Sequence, residues 1–128
     1  MTEPYTFEDL SAIYYVELKH SALAEVPKDF YQRVAETRRQ AVADLCAERE
    51  KDPDSIMCEG AQRRMVKTRR LAEDILRNRA WKVCRLGIQK GMGDDSRLPD
   101  LPPEEMVLLL QVAGNYADLR NAMKGVGE

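Results

Sequence analysis

Apolar residues recur at helical spacing through most of this chain, and prolines and glycines cut the pattern into four stretches. The first runs from about Phe7 to Lys19, with Leu10, Ile13, Tyr14 and Leu18 on its apolar side. Thr6 precedes it as a candidate N-cap, and Glu8 and Asp9 set acids against the positive end of the helix dipole. Beyond Val26-Pro27 a second stretch extends from about Lys28 to Lys51. Phe30, Val34, Ala41 and Leu45 form its stripe, with Tyr31, Ala35 and Val42 beside them. Asp52-Pro53 ends it and is expected to supply a cap and a first-turn proline to a third helix, from about Asp54 to Lys90. Met65, Ala72, Ile75, Leu76, Val83 and Leu86 line that helix, and Gly60 weakens its early part by about 1 kcal/mol relative to alanine. Arg79 falls inside the same apolar stripe, which marks it as a candidate buried, paired arginine. Gly87, Gly91 and Gly93 read as chain termination. A fourth helix starts at Pro102-Pro103, with Glu104 and Glu105 in its first turn.

The fold expected from this pattern is an all-α bundle of about four main helices, two of them long, with apolar faces that form interfaces. No strand-like alternation of useful length occurs. A helix of about 36 residues would reach roughly 54 Å at 1.5 Å per residue, too long for a compact domain of this size. Either it breaks or it projects into a partner, and oligomerisation is favoured. Met106, Val107, Leu108, Leu109, Leu110, Val112, Ala113, Tyr116 and Leu119 cover more than half the circumference of the last helix. Burial from more than one side follows, by the bundle itself or by another subunit. Leu108, Leu109, Val112 and Tyr116 are therefore core-or-interface residues. Leu71, Ile75 and Trp81 are candidate subunit contacts, Trp81 because it lies off the apolar stripe.

Composition narrows the chemistry. The 128 residues are 44% hydrophobic and 33% charged, enough for one domain with a core. A net charge of -2 gives the whole molecule no attraction to nucleic acid or membrane. Locally the balance differs: ten Lys or Arg against Glu73 and Asp74 lie between Arg63 and Lys90. Arg63, Lys67, Arg70 and Arg77 share one helix face. That face is either solvated and balanced by the acidic stretch Asp44, Glu48, Glu50, Asp52 and Asp54, or it tracks phosphates.

Catalytic and metal chemistry find no support. His20 is the one histidine, and Glu17-x-x-His20 at a helix end falls short of the paired motifs of a di-metal bundle. Cys46, Cys58 and Cys84 lack zinc spacing and read as reduced intracellular thiols. No phosphate-binding glycine pattern follows a strand. The expectation is a protein without catalytic site, cofactor or metal. The N-terminal residues lack a signal-peptide pattern and no apolar run reaches membrane-spanning length, so a cytoplasmic, nucleoid-associated location is expected.

Several blocks in order resemble one family. Ile13-Tyr14-Tyr15-Val16-Glu17, then Val26-Pro27-Lys28-Asp29-Phe30-Tyr31 entering a long helix, are similar to archaeal GINS subunits of the subclass with the helical domain first. Leu71 to Arg79 with Lys82 resembles the family's basic third-helix segment. Leu101-Pro102-Pro103-Glu104-Glu105 resembles the start of its last helix, with Pro102 where a threonine is common. The resemblance implies structural roles for Ile13, Tyr14, Glu17, Pro27, Asp29, Phe30 and Tyr31. It also implies a GINS-like helical domain over residues 1–122, with 123–128 as a tail or the start of a linker to a small β domain. As to function, it implies a scaffold subunit of a homotetramer or heterotetramer that joins the MCM helicase and a RecJ-like accessory protein, with DNA contact at most indirect. A chorismate-mutase-like helical enzyme and a module binding DNA through residues 63–90 are the alternative readings.

Overall fold

Each helix begins where the local chemistry satisfies its first N–H groups. In the computed structural model, which describes residues 3–125, the chain forms α1 (Phe7–Lys19), α2 (Phe30–Lys51), α3 (Ile56–Gly91) and α4 (Pro103–Lys124). Among the described residues there is no strand. Thr6 caps α1 reciprocally: its hydroxyl accepts the Asp9 N–H, and the Asp9 carboxylate accepts the Thr6 N–H. Before α2, the Pro27 carbonyl accepts the Phe30 N–H, so helical geometry starts at Phe30 and not at Lys28. Asp29 occupies the N-cap position without a side-chain cap bond.

The start of α3 also differs from expectation. Ser55, not Asp52, caps it by accepting the Cys58 N–H, and Pro53 stays in the preceding turn. The Asp52 carboxylate closes that turn by accepting the Asp54 N–H. A hydroxyl three residues before an amide it can reach outcompetes a carboxylate held back by the turn. At the other end of the chain α4 continues through Met123 and Lys124, two residues past the expected boundary, and residues 126–128 lie outside the described part.

α3 is unbroken over 36 residues, Gly60 included, and it is the axis on which the other three helices pack. Its length spreads the core into three clusters. Leu45, Cys58 and Ala61, with Met65, hold the end nearest the α2–α3 turn. Leu10, Phe30 and Ile75 form the middle, with Ile13, Tyr14, Tyr31, Val34 and Leu71 packed around them. Val83, Leu101 and Leu109 close the far end, joined by Leu86, Met106 and Leu108. Leu71 and Ile75, expected as subunit contacts, are thus core; Ile75 is only 1% exposed. Their spacing put them on the stripe of α3 that α1 and α2 already cover.

Gly87 lies inside the helix, and Gly91 is its last residue. They let α4 lie directly on α3: a Cβ at Gly87 would sit 2.8 Å from both the Leu109 carbonyl oxygen and the Val112 Cβ. At Gly91 it would sit 2.7 Å from the Ala113 carbonyl oxygen and 3.1 Å from the Tyr116 ring. Val112 and Tyr116 are therefore the residues that α4 sets over the two glycines. Gly93, with φ of 96°, is the residue whose left-handed backbone turns the chain away. Gly114, on the outer side of α4, has open space where a Cβ would go.

These two settings predict opposite outcomes for one substitution. Gly87→Ala gains about 1 kcal/mol of helix propensity but forces backbone apart at a cost of about 1–3 kcal/mol or more, so net destabilisation is expected. Gly114→Ala keeps the gain and loses nothing. Urea unfolding of both variants checks this; equal stabilisation would show that α3 and α4 are not in close contact.

Candidate interaction surface

Behind the outer face of α3 lies a closed polar cluster. Arg79 is 0% exposed, although it sits on the apolar side of the helix. Glu105, from the first turn of α4, holds its guanidinium with two oxygens: Nε donates to Oε2 and Nη2 to Oε1, both at 2.7 Å. Nη1 donates to the Ala24 carbonyl at 2.9 Å and to Glu17 Oε1 of α1 at 3.3 Å. Such two-point pairing is the strongest geometry available to arginine and a carboxylate. Tyr31 of α2 donates its hydroxyl to Glu105 Oε2 at 2.5 Å. Glu17 Oε1 also accepts the Ala24 N–H at 2.5 Å. Lys82 donates to the Glu17 carbonyl at 2.6 Å and the Ala22 carbonyl at 3.1 Å, with its ammonium 3.7 Å from Glu17 Oε2. All four helices and the α1–α2 connection meet here, and two cations face two anions.

Burial alone works against the Arg79 charge, but the Glu105 hydrogen bonds and the charges of Glu105 and Glu17 outweigh it and raise its pKa. Burial first, then the hydrogen bond to Glu105 and its negative charge, push the Tyr31 hydroxyl well above its usual range. Within the cluster Glu17 Oε2 is the buried side-chain oxygen that lacks a hydrogen-bond partner among the described residues, with the Lys82 ammonium 3.7 Å away. Arg79 and Lys82, which a dianion-binding enzyme would need free, are neutralised by Glu17 and Glu105 or spent on carbonyls.

Of the residues read from the family pattern, Glu17, Phe30 and Tyr31 converge on this centre, and Ile13 and Tyr14 pack beside it. Pro27 and Asp29 are exposed and shape only the entry to α2. Glu105 was legible as a helix-start acid but not as the partner of Arg79, because nothing local distinguishes it from exposed Glu104. Among the described residues no group of three or more His, Cys, Asp or Glu could hold a metal, and no helix is long and apolar enough to cross a membrane. Cys46, Cys58 and Cys84 are free thiols, and His20 caps the end of α1 through its backbone.

The outward side of the molecule is different in character. Arg63, Lys67, Arg70, Arg77, Trp81, Ile88 and Met92 fall within about 40° of one line along α3 at 3.6 residues per turn. All seven are exposed, and no other helix covers that line. The C-terminal half carries an apolar strip with exposed Arg85 at its side: Trp81 is 71% exposed, with Ile88 and Met92 about two and three turns further on. Its neighbour Val83 points the other way and is fully buried. The outer side of α4 exposes Val107 and Leu110 in the same manner. Leu109 is core, Leu108 packs on the same cluster, and Val112 and Tyr116 face α3 while staying partly exposed. Of Leu71, Ile75 and Trp81, Trp81 is the exposed one.

The accessible surface of the chain is 8971 Å². A compact monomer of 14.6 kDa would expose about 6,900 Å². The excess of roughly 2,000 Å² exceeds the ~800 Å² that one partner contributes to a standard protein–protein interface. Comparison with family models, curated proteins and solved structures finds no match for this chain.

Two outcomes follow from the buried cluster. Glu105→Ala strands the Arg79 charge and is expected to cost about 3–5 kcal/mol in urea unfolding; a loss below 1 kcal/mol would show that water reaches the site. The unfolded Tyr31 ionises near the ordinary tyrosine value of 10.0, while the folded one stays protonated. Stability from Tyr31 is therefore complete below pH 10 and falls as pH rises above it. Tyr31→Phe should lower the melting temperature at neutral pH and flatten its decline between about pH 9 and 11; an unchanged slope would place the hydroxyl in solvent.

Proposed function

We propose that this chain is a non-catalytic scaffold subunit of a GINS-type tetramer, which joins the MCM helicase to accessory factors during DNA replication. The observation that carries the assembly reading is the surface excess, together with the uncovered apolar line of Trp81, Ile88 and Met92. A 36-residue helix left bare on one side is a docking edge, and the excess area is sufficient to form it. Trp81 is the anchor: a large, exposed aromatic at the centre of an apolar strip is the residue type that dominates interface energetics. Val107 and Leu110 extend the contact onto α4.

The finer identity rests on the sequence resemblance. Four of the residues that carry it are ones that the fold makes structurally costly to change: Glu17, Phe30, Tyr31 and Arg79 build the centre from which α3 projects. A family that conserved an assembly would need the rigid angle between these helices before it needed any surface residue. Support for a scaffold also comes from the chemistry of the centre, whose charges are spent on one another.

Light scattering on the purified chain, alone and mixed with a second GINS-type subunit from the same cells, tests this reading. An assembly larger than a monomer is expected in at least one condition. Trp81→Glu should keep the fold and weaken that assembly by about 2 kcal/mol or more, roughly 30-fold in dissociation constant. A folded wild-type monomer in both conditions would end the scaffold reading. Assembly without recovery of MCM or a RecJ-like protein from nuclease-treated extract would leave the scaffold and remove the GINS identity.

A further inference from the structure

The N-terminal half of the outer α3 line is chemically distinct from the apolar half. Arg63, Lys67 and Arg70 follow one another over two turns on that line, and Arg64 and Arg69 flank them around the cylinder. All five are exposed, and none forms an ion pair among the described residues. The acidic stretch at the end of α2 does not neutralise them: Glu48 pairs with Lys51, and the Asp52 carboxylate is taken by the turn. Further along α3, Arg77 is spent on Asp74 and Arg79 and Lys82 on the buried cluster, which leaves Arg85 and Lys90 as exposed cations, unpaired among the described residues and more than a helical turn apart. The closest cluster of free positive charge on the helix, Arg63, Arg64, Lys67, Arg69 and Arg70, is thus one short segment.

We infer that this segment binds the phosphate backbone of a nucleic acid, without reading sequence. Arg63, Lys67 and Arg70 line one shallow recess with Gln62, Val66 and a single acid, Glu59. Val66 is half-buried and leaves no apolar knob on which a partner helix could anchor. An acidic protein surface would gain charge contacts here but no desolvated centre, which is what makes such contacts tight. A phosphate chain needs no apolar anchor. It needs donors in a row, and arginine, four of the five residues here, meets phosphate with a two-pronged fork. Cations on both flanks of the line suit a curved polyanion better than a flat one. The apolar half of the same face remains separate, so this site does not depend on the assembly proposed above.

Fluorescence anisotropy of the full chain with a labelled random-sequence DNA duplex and with the matching single strand tests the inference across a salt series. Three to five neutralised phosphates give a slope of log K against log salt between about -2.7 and -4.5 for the duplex. Replacing Arg63, Lys67 and Arg70 together by alanine should cut affinity at least about tenfold at low salt and flatten the slope by about 0.9 per residue. Arg63→Lys with Arg70→Lys should retain the slope. Removing three exposed cations elsewhere, Lys19, Arg97 and Lys124, is the charge-matched control and should leave binding within about twofold. Equal loss in that control would reduce the effect to net charge and overturn the site. So would a slope shallower than about -1, or competition by poly-glutamate as effective as that by unlabelled duplex, which would assign the segment to an acidic protein.

Discussion

The arrangement of these helices depends on one buried pairing, the two-point grip of Glu105 on Arg79. An arginine drawn into an apolar interior without a partner would unfold a domain of this size; paired through two hydrogen bonds it becomes a fixed point. Glu105 comes from α4, Glu17 from α1 and Tyr31 from α2, and each reaches Arg79 or its carboxylate partner only at one setting of its helix. Apolar packing alone tolerates small rotations and slides of one helix on another. Hydrogen bonds of 2.5–2.7 Å from Tyr31 and Arg79 to the buried Glu105 carboxylate do not. The cluster thus specifies orientation where the neighbouring Val83 and Leu10 clusters supply most of the apolar burial.

Much of this was legible in the sequence, and the losses have identifiable physical causes. The four helices, their approximate ends and the buried, paired state of Arg79 followed from periodicity and from an arginine placed on an apolar stripe. The identity of its partners did not, because pairing across 26 and 62 residues depends on how helices cross. Gly87 was misread for a related reason. A glycine that ends a helix and one that admits a neighbouring backbone look alike until the neighbour is in place. Ile75 shows the converse: spacing identified its face, but not that this chain's own helices already covered it. Trp81 was separable from them because it lies opposite Val83 on the same helix.

The outer face of α3 combines two surfaces that differ in the physics of attachment. The apolar half gains by excluding water, over short range and with little regard to salt. The cationic half acts over about a Debye length, roughly 10 Å at 0.1 M salt, and weakens as salt rises. Placing both on one rigid helix sets a fixed separation between whatever each half holds. A scaffold built this way would transmit position, not chemistry.

The three core clusters strung along α3 have a consequence for motion. Near the α2–α3 turn the buried set is Leu45, Cys58 and Ala61, smaller side chains than those of the other two clusters and with fewer partly buried neighbours packed against them. Local opening free energy follows buried apolar contact, so this end of the hairpin unfastens before the centre does. The ion cluster stays intact while it does. Hydrogen exchange would then fall off along a single continuous helix, slow around Arg79 and faster toward Ser55, and the cationic segment lies on the looser side of that gradient. A polyanion held there would suppress the opening, so that occupancy of the surface is reported as rigidity in the α2–α3 hairpin beneath it.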